Sequence, residues 1–143
     1  MQRNESIQSV FKEFLLLRSR FEKNVEALAE TMDLNKSELL LILDLIEHPD
    51  TSLNEACQRL GLKKSAASKL VDRLVDREYV ARVQCPTNRR EIQLSVGTGF
   101  GQESFCKNQA IASLFPYIKA KTVDELVGIA QELNALRTAL FGE

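Results

Sequence analysis

The middle of the chain concentrates the positive charge that binding to an anionic polymer requires. Residues 59–90 include nine basic residues and three acidic ones, a net charge of +6, whereas the rest of the chain carries ten basic and seventeen acidic residues. A basic middle between acidic flanks predicts a face that attracts phosphate, while the other surfaces stay away from nucleic acid. The alternative is a solvated charged helix without a partner.

Small polar side chains stand among these charges at helical spacing. Over residues 64–78 apolar positions recur every three or four residues, which predicts a helix with one face in the core and one toward a partner. On the second face, lysines and arginines would contact phosphates, and short side chains would let the backbone approach base edges. The predicted phosphate contacts are Lys63, Lys64, Lys69 and Arg73, and the predicted base-edge residues are Ser65, Ala66 and Ser68.

Two further arginines of the basic segment admit two interpretations. Arg77 and Arg82 either contact a nucleic-acid backbone or form ion pairs inside the protein. The acidic partners for such internal pairs would be Asp76 and Glu78.

The chain lacks the parts of the common enzyme sites. It has one histidine, His48, next to a proline, and neither a glycine-rich phosphate loop nor a nucleophile elbow. Its three cysteines, Cys57, Cys85 and Cys106, are odd in number and far apart, which argues against a disulfide framework or a metal knuckle. Cys85 is the one thiol placed to act as a redox switch, and the other interpretation is an inert thiol. We therefore expect no enzyme activity, no metal and no cofactor.

Two helices are predicted before the basic segment. Apolar residues seven apart, beginning with Ile7 and Phe14, predict one long helix with an apolar stripe over the first thirty residues. Asn35 and Glu38 resemble a capping pair, and they open a second helix that is apolar nearly all round and ends near Pro49. This second helix should lie in the core.

A helix, a turn, a helix and a hairpin follow along the chain. Residues 52–55 form a Ser-x-x-Glu capping box that starts a short helix, and Gly61 stops this helix before the basic one. Residues 79–83 and 91–96 predict two short antiparallel strands. The link at 84–90 is polar, contains a proline and ends in paired arginines, which is typical of an exposed hairpin tip.

The C-terminal part predicts two more helices. One covers roughly residues 102–119, and a Thr-x-x-Glu capping box at 122–125 starts the last helix, which also has an apolar stripe. The stripes of the first and last helices exceed what a core of some sixty residues can cover, so they predict a twofold dimer; the alternative is that they fold back on their own chain. The residues predicted at the dimer interface are Ile7, Phe11, Phe14, Leu126, Leu133, Leu136 and Leu140.

This arrangement resembles the MarR (multiple antibiotic resistance regulator) family of winged helix-turn-helix transcription regulators. The resemblance covers nearly the whole chain, and its most specific parts are LGLKKSAASKLVDRL at residues 60–74 and the tip PTNRR at 86–90. It implies a mainly α fold with a small β-hairpin wing, in which the serine-rich helix reads the major groove and the wing reaches the minor groove. The wing residues included in the predicted DNA-contact set are Asn88, Arg89 and Arg90.

Three features depart from the family pattern, and one is the start of the helix after the wing, where SVGTG at residues 95–99 replaces the family's threonine-acid-glycine. Asn88 stands where the family usually has an acidic residue that braces an arginine. Lys63 stands at the N-cap of the recognition helix, where the family has a small or acidic residue, so the first backbone N–H groups lack a side-chain acceptor. A DNA phosphate is the expected substitute, because a helix N-terminus favours an anion.

The resemblance also implies an assembly and a function. We expect a homodimer that binds a palindromic operator in double-stranded DNA, as a repressor released by a small-molecule effector or an oxidant. Residues 1–34 would be an N-terminal dimerisation helix, 35–97 the DNA-binding lobe and 98–143 the C-terminal dimerisation helices. The sequence shows no signal peptide and no long apolar run, which predicts a cytoplasmic protein without a membrane partner. The main alternative is a winged helix that binds an acidic protein.

Overall fold

The structure is a computed structural model that describes residues 2–88, 92–100 and 103–143, with the backbone alone for residues 100 and 103–107. Arg89, Arg90 and the side chain of Cys106 therefore lie outside the description. In chain order the elements are α1 (Arg3–Thr31), α2 (Lys36–Glu47), β1 (Thr51–Ser52), α3 (Leu53–Leu60), α4 (Lys64–Asp76), β2 (Val80–Gln84), β3 (Ile92–Val96), α5 (Glu103–Leu114) and α6 (Val123–Phe141). None of the helices in the described ranges combines the length and apolar character needed to cross a bilayer.

Three helices begin at the capping boxes that the sequence predicted. In each, the N-cap side chain accepts a hydrogen bond from the backbone N–H three residues later, and the glutamate there accepts one from the N-cap N–H. The pairs, with the side-chain to N–H distance, are Asn35 with Glu38 (2.8 Å), Ser52 with Glu55 (3.1 Å) and Thr122 with Glu125 (3.2 Å). The hydrogen bonds from Ser52 also hold the pKa of the Glu55 carboxyl below its ordinary value.

The hairpin predicted after the basic helix is part of a three-stranded antiparallel sheet. The strand order is β1-β3-β2, with Thr51 opposite Leu94 and Val80 opposite Val96. The sequence predicted β2 and β3 but not β1. This strand has only two residues, too few for an alternating pattern, and it exists because β3 offers a free edge.

Helix α2 lies at the centre of the core, as its apolar sequence predicted. It contacts α1, α3, α4 and β3, and the C-terminal half of α1 and the end of α5 complete the packing around it. The Asn24 side chain of α1 donates a hydrogen bond of 2.8 Å to the carbonyl of Leu114, which fixes α5 to α1. The largest fully buried side chains are Val25, Leu39, Leu41, Ile42, Leu45, Val71, Leu74 and Leu94.

The helix expected over residues 102–119 is shorter than predicted. It ends at Leu114, two residues before Pro116. Proline lacks a backbone donor and disfavours helical geometry in the residue before it, so this end of the prediction was wrong for a reason present in the sequence. A single 3-10 turn, Ile118–Ala120, then leads to the cap of α6.

Two glycines hold the base of the hairpin against the end of α4. The Gly97 N–H donates to the carbonyl of Tyr79 (2.8 Å), and the Gly99 N–H donates to that of Glu78 (2.7 Å). A Cβ atom at Gly97 would lie 2.3 Å from the Glu78 carbonyl oxygen, and one at Gly99 would lie 2.8 Å from it. Only glycine allows the two backbones to approach this closely, so the wing and α4 have a fixed relation at this end.

Candidate nucleic-acid interface

Helix α4 presents one face to the core and the opposite face to solvent. Ala67, Leu70, Val71 and Leu74 are buried. Of the predicted contacts on this helix, Lys64, Ser65, Ala66, Lys69 and Arg73 are exposed and Ser68 is half-buried. The exposed face therefore combines positive charge with short side chains, which is the combination that lets a helix backbone approach a polyanion.

The N-terminus of α4 differs from the capped helix before it. Gly61, in left-handed conformation with φ of 67°, ends α3, and the turn to α4 is only three residues long. Lys63 at the N-cap makes no side-chain hydrogen bond to the helix, as predicted, and its carbonyl accepts the N–H of Ala67 at 2.9 Å. The first N–H groups of α4 thus lie without a side-chain acceptor beside two exposed lysines, Lys63 and Lys64. A helix end of this kind favours an anion.

The first helix of the helix-turn-helix is locked to the core by Arg59. Its guanidinium donates to both carboxylate oxygens of Asp44, at 2.9 and 2.8 Å, and to the Thr51 hydroxyl at 2.7 Å. The hydrogen bonds that Arg59 donates to the Asp44 carboxylate raise the pKa of Arg59 further above neutrality. One of the nine basic residues of the segment is therefore committed to holding α3 against α2 and β1.

The arginines on the C-terminal half of α4 and on β2 also have partners inside the protein. Arg73 Nε lies 3.9 Å from a carboxylate oxygen of the buried Glu38, with more than half of the arginine side chain exposed. Arg82 pairs with Asp72. Arg82 thus forms an internal ion pair, one of the two predicted alternatives, but its partner is neither Asp76 nor Glu78. Strand β2 runs back beside α4, so Arg82 lies next to Asp72, one helical turn before Asp76.

Arg77 contacts main-chain carbonyls rather than acids. Its guanidinium donates to the carbonyl oxygens of Met32, at 3.0 Å, and Asp33, and it lies 5.2 Å from the centre of the Tyr79 ring. The predicted internal ion pair with Asp76 or Glu78 was therefore wrong for Arg77, although its guanidinium does bind inside the protein. This bridge to the end of α1 was not predicted; the available signal was the lack of any basic residue in the last turn of α1, whose carbonyls attract a cation.

The lysines of the basic segment behave differently from these arginines. Lys63, Lys64 and Lys69 are exposed, and none of the three forms a side-chain hydrogen bond or ion pair with another residue that the structure describes. Among the basic residues of this segment that the structure describes, the charge without an internal partner is therefore concentrated at the N-terminal half of α4, next to the short side chains.

The hairpin tip is described up to Asn88. Asn88 is exposed, and its N–H donates to the carbonyl of Cys85 at 3.3 Å. Cys85 is only 8% exposed, with its sulfur 3.2 Å from the hydroxyl of Thr87. The thiol at the start of the hairpin tip is therefore buried. The predicted contacts Arg89 and Arg90 fall outside the described residues.

The terminal helices leave their apolar stripes uncovered in the single chain. Of the predicted interface residues, Ile7, Phe11, Phe14, Leu133, Leu136 and Leu140 are exposed and Leu126 is half-buried. Between α1 and α6 runs a groove of about 540 Å³, where the rings of Phe14 and Phe141 meet edge to face at 5.9 Å. The groove wall is almost entirely apolar, with Leu17, Leu136 and Leu140 among its residues.

The sequence comparisons with known proteins match part of the chain, whereas the solved structures match its whole fold. Residues 32–91 match the model of the MarR family. The chain is also similar to an HTH-type transcriptional repressor, MdtR of Bacillus subtilis (strain 168), with 28% identity over 85 residues, 57% of this chain and 55% of that protein. The chain thus spans about half of the length of the curated relative it matches.

Solved structures share the fold at low sequence identity. A MarR family protein from Bacillus stearothermophilus has a TM-score of 0.74 and 15% identity over 98% of this chain and 99% of that chain. A mutant of E. coli MarR complexed with operator DNA has a TM-score of 0.59 and 16% identity over 95% and 99%. The similarity to the MarR family model thus lies in the helix-turn-helix and its wing, and the chain as a whole shares the winged helix fold of these structures.

Proposed function

We propose that this chain is a sequence-specific regulator of transcription that binds duplex DNA as a homodimer. The observation that carries the proposal is the exposed N-terminal half of α4, where uncommitted lysines flank short side chains on a helix whose other face is buried. Two relatives support it: MdtR is named as a transcriptional repressor, and the E. coli MarR mutant was solved with operator DNA.

In this proposal α4 enters the major groove by its N-terminal half. Ser65, Ala66 and Ser68 meet base edges, because their short side chains let the helix backbone come close. Lys63, Lys64 and Lys69 contact phosphates, and a phosphate completes the uncapped N-terminus. Arg73 adds a phosphate contact from its exposed side while Glu38 holds its position.

The wing supplies a second contact in this proposal. Asn88, Arg89 and Arg90 reach the neighbouring minor groove, whose width and negative potential vary with sequence and attract arginine. If they do, Arg90→Ala weakens specific binding by about 1–3 kcal/mol and leaves the fold intact. An unchanged affinity would remove the wing from the interface.

The uncovered stripes on α1 and α6 support the dimer in this proposal. A single lobe covers one half-site, whereas a twofold pair places two recognition helices about 34 Å apart, one turn of DNA. In this arrangement residues 1–34 and 98–143 form the dimerisation part and residues 35–97 the DNA-binding lobe. The area of exposed apolar side chains along both helices favours a second copy of the chain as the partner.

We further propose repression that is released by a small molecule. A cavity of about 290 Å³ lies where the dimerisation helices meet the lobe, and its walls include Met32 and Ala110 on the apolar side and Tyr79 and Gln109 on the polar side. A bound molecule there would touch both parts of the chain. The low exposure of Cys85 favours a small molecule over an oxidant as the signal, since a reactive thiol needs access to solvent.

Selection of bound duplexes from random DNA tests the proposal against the alternative of an acidic protein partner. We expect a palindromic site bound in the nanomolar range and on the order of a thousandfold more tightly than unrelated DNA. Lys69→Ala should weaken binding and reduce the salt dependence by about one phosphate contact. Lys23→Ala, which removes an exposed lysine from α1, is the matched control and should leave the salt dependence unchanged. Equal affinity for all duplexes would contradict the proposal.

A further inference from the structure

Arg77 connects the end of α4 to the end of α1. It is the C-cap residue of α4, and its two terminal nitrogens donate to the carbonyls of Met32 and Asp33. These two residues belong to the joint, residues 32–35, which joins α1 to α2. The guanidinium also faces the Tyr79 ring at the start of the hairpin, so one side chain contacts α4, the joint and the base of the wing.

The end of α1 has a specific need for this cation. The last carbonyls of a helix have no partner within the helix, and they carry the negative end of its dipole. No basic residue lies in the last turn of α1, and Glu30 adds a negative charge there. Arg77 supplies from another helix the positive charge that the end of α1 lacks, and it donates to the carbonyls of the C-cap residue Met32 and of the next residue, Asp33.

The joint has a second and weaker tie to α4. Arg73, one turn before Arg77, faces the Glu38 carboxylate, and Glu38 caps α2 through the joint residue Asn35. Asp33 itself has a left-handed backbone with φ of 55°, which is uncommon for a residue other than glycine. Arg77 therefore contacts the joint directly, and Arg73 reaches it only through Glu38.

We propose that Arg77 is a positioning residue that sets the angle between α4 and α1, and with it the distance between the two recognition helices of the dimer. This inference rests on the proposed function. In the dimer α1 belongs to the common frame and α4 to one lobe, so the contact between their ends fixes how far each lobe swings. The planar guanidinium suits this task because it holds two acceptors in one orientation.

A small rotation at this contact moves the N-terminus of α4 by a distance comparable to the spacing of base pairs. Helix α4 has 13 residues and is about 20 Å long, so a rotation of about 10° at its C-terminal end moves its N-terminus by about 3.4 Å, one base step. The same rotation in both protomers changes the separation of the reading faces by up to two steps. A dimer loses much of its advantage when both half-sites cannot be engaged together.

The test compares operators that differ only in the spacing between half-sites. Full-length wild type, Arg77→Met and Arg77→Lys are titrated against the selected palindrome, against versions with one or two base pairs inserted or removed at its centre, and against a single half-site. We expect wild type to prefer its best spacing by on the order of a hundredfold, and both variants to prefer it by less than about tenfold. Lysine keeps the charge without the two fixed donors, so Arg77→Lys separates geometry from electrostatics.

Affinity for the single half-site should change less than about threefold in Arg77→Lys, because the reading face of α4 is untouched. A merely structural loss would lower the affinity for every duplex equally and leave the spacing preference intact. An unchanged spacing preference in Arg77→Met would overturn the inference.

Hydrogen exchange without DNA separates this inference from the proposed function. The amides of Asp33 and Leu34 donate to the carbonyls of Glu30 and Ala29 at 3.1 and 2.9 Å. In Arg77→Met these amides should exchange at least about tenfold faster than in wild type, while the core amides of α2 are unchanged. If no duplex is preferred by wild type, the proposed function fails, and faster exchange at the joint still supports the positioning role. Unchanged exchange at the joint would overturn that role.

Discussion

Apolar side chains form a buried core in the lobe, whereas those along the stripes of α1 and α6 are exposed. Within residues 35–97, Leu39, Leu74 and Leu94 are at most 1% exposed. Helix α6, all of which the structure describes, has no buried residue, and Leu133 and Leu136 on its stripe are more than half exposed. The lobe therefore has a core of its own, completed by the end of α1, whereas the stripes on α1 and α6 require another surface to cover them.

This difference predicts two kinds of stability in one chain. The free energy of unfolding of the lobe depends on contacts within the chain, so it should not vary with protein concentration. In the proposed dimer a partner copy orders α6 and the N-terminal half of α1, so we expect their order to increase with concentration by mass action. The following substitutions break or sharpen this comparison.

The largest effect is expected from a charge in the groove between α1 and α6. Leu136→Glu should weaken the dimer by about 4 kcal/mol, on the order of a thousandfold in Kd, because a twofold interface would bury two unpaired carboxylates. Sedimentation over a range of concentrations measures this. Gln131→Glu adds the same charge on α6 outside the groove and should leave the dimer intact. Equal sedimentation of Leu136→Glu and wild type would contradict the dimer assignment.

The next largest effect is expected when a leucine is truncated to alanine, once in the lobe and once on the exposed stripe of α6. Leu74→Ala should lower the free energy of unfolding by about 3 kcal/mol, because it opens a cavity beside fully buried neighbours. Urea unfolding at several protein concentrations should give the same loss each time. Leu133→Ala is the matched variant on the exposed stripe, and its smaller loss should depend on concentration. A concentration-independent loss for both would mean that the stripe is covered within one chain.

A side-chain cap introduced at the N-terminus of α4 should stabilise the protein and weaken its binding to DNA. Lys63→Ser supplies the missing side-chain acceptor and should raise the free energy of unfolding by about 1 kcal/mol while it weakens DNA binding. Thermal unfolding and titration with the selected duplex measure the two effects. Lys64→Ser loses the same charge inside the first turn, where serine cannot cap, so it should weaken binding without the gain in stability. If Lys63→Ser brings no such gain, the N–H groups of α4 already have other partners.

The smallest effect concerns the turn between α4 and β2. Glu78 has a left-handed backbone with φ of 63°, a conformation in which a Cβ atom is strained by about 1 kcal/mol. Glu78→Gly removes that strain but adds freedom to the unfolded chain, so we expect a net gain of about 0.5 kcal/mol. The denaturant midpoint measures it. Glu78→Ala keeps the Cβ and should bring no gain; an equal gain would assign the effect to the carboxylate instead.

Much of the fold could be predicted because its signals are local. The caps at Asn35, Ser52 and Thr122 and the stop at Gly61 each depend on residues within one turn of helix, so the sequence places the starts of α2, α3 and α6 correctly. The exposed and buried faces of α4 follow from helical periodicity alone. The early end of α5 at Leu114 was also readable, since Pro116 stands two residues later.

The partners of the long basic side chains could not be predicted in this way. Arg82 reaches Asp72 across the junction of β2 and α4, and Arg77 reaches carbonyls more than forty residues earlier in the chain. An arginine side chain spans several ångströms, so its partner depends on which elements lie beside it and not on its sequence neighbours. The two-residue strand β1 escaped prediction for a similar reason, because only the free edge of β3 defines it.

The sequence by itself determined the helices, their caps, the hairpin and the surplus of positive charge in the middle of the chain, because each of these depends on residue types at short separations. Only the tertiary structure decided how that charge is used. Packing brings Asp44, Asp72 and the end of α1 next to arginines of the segment, while Lys63, Lys64 and Lys69 stay exposed. An ion pair needs proximity in space, and for these residues the fold alone creates it.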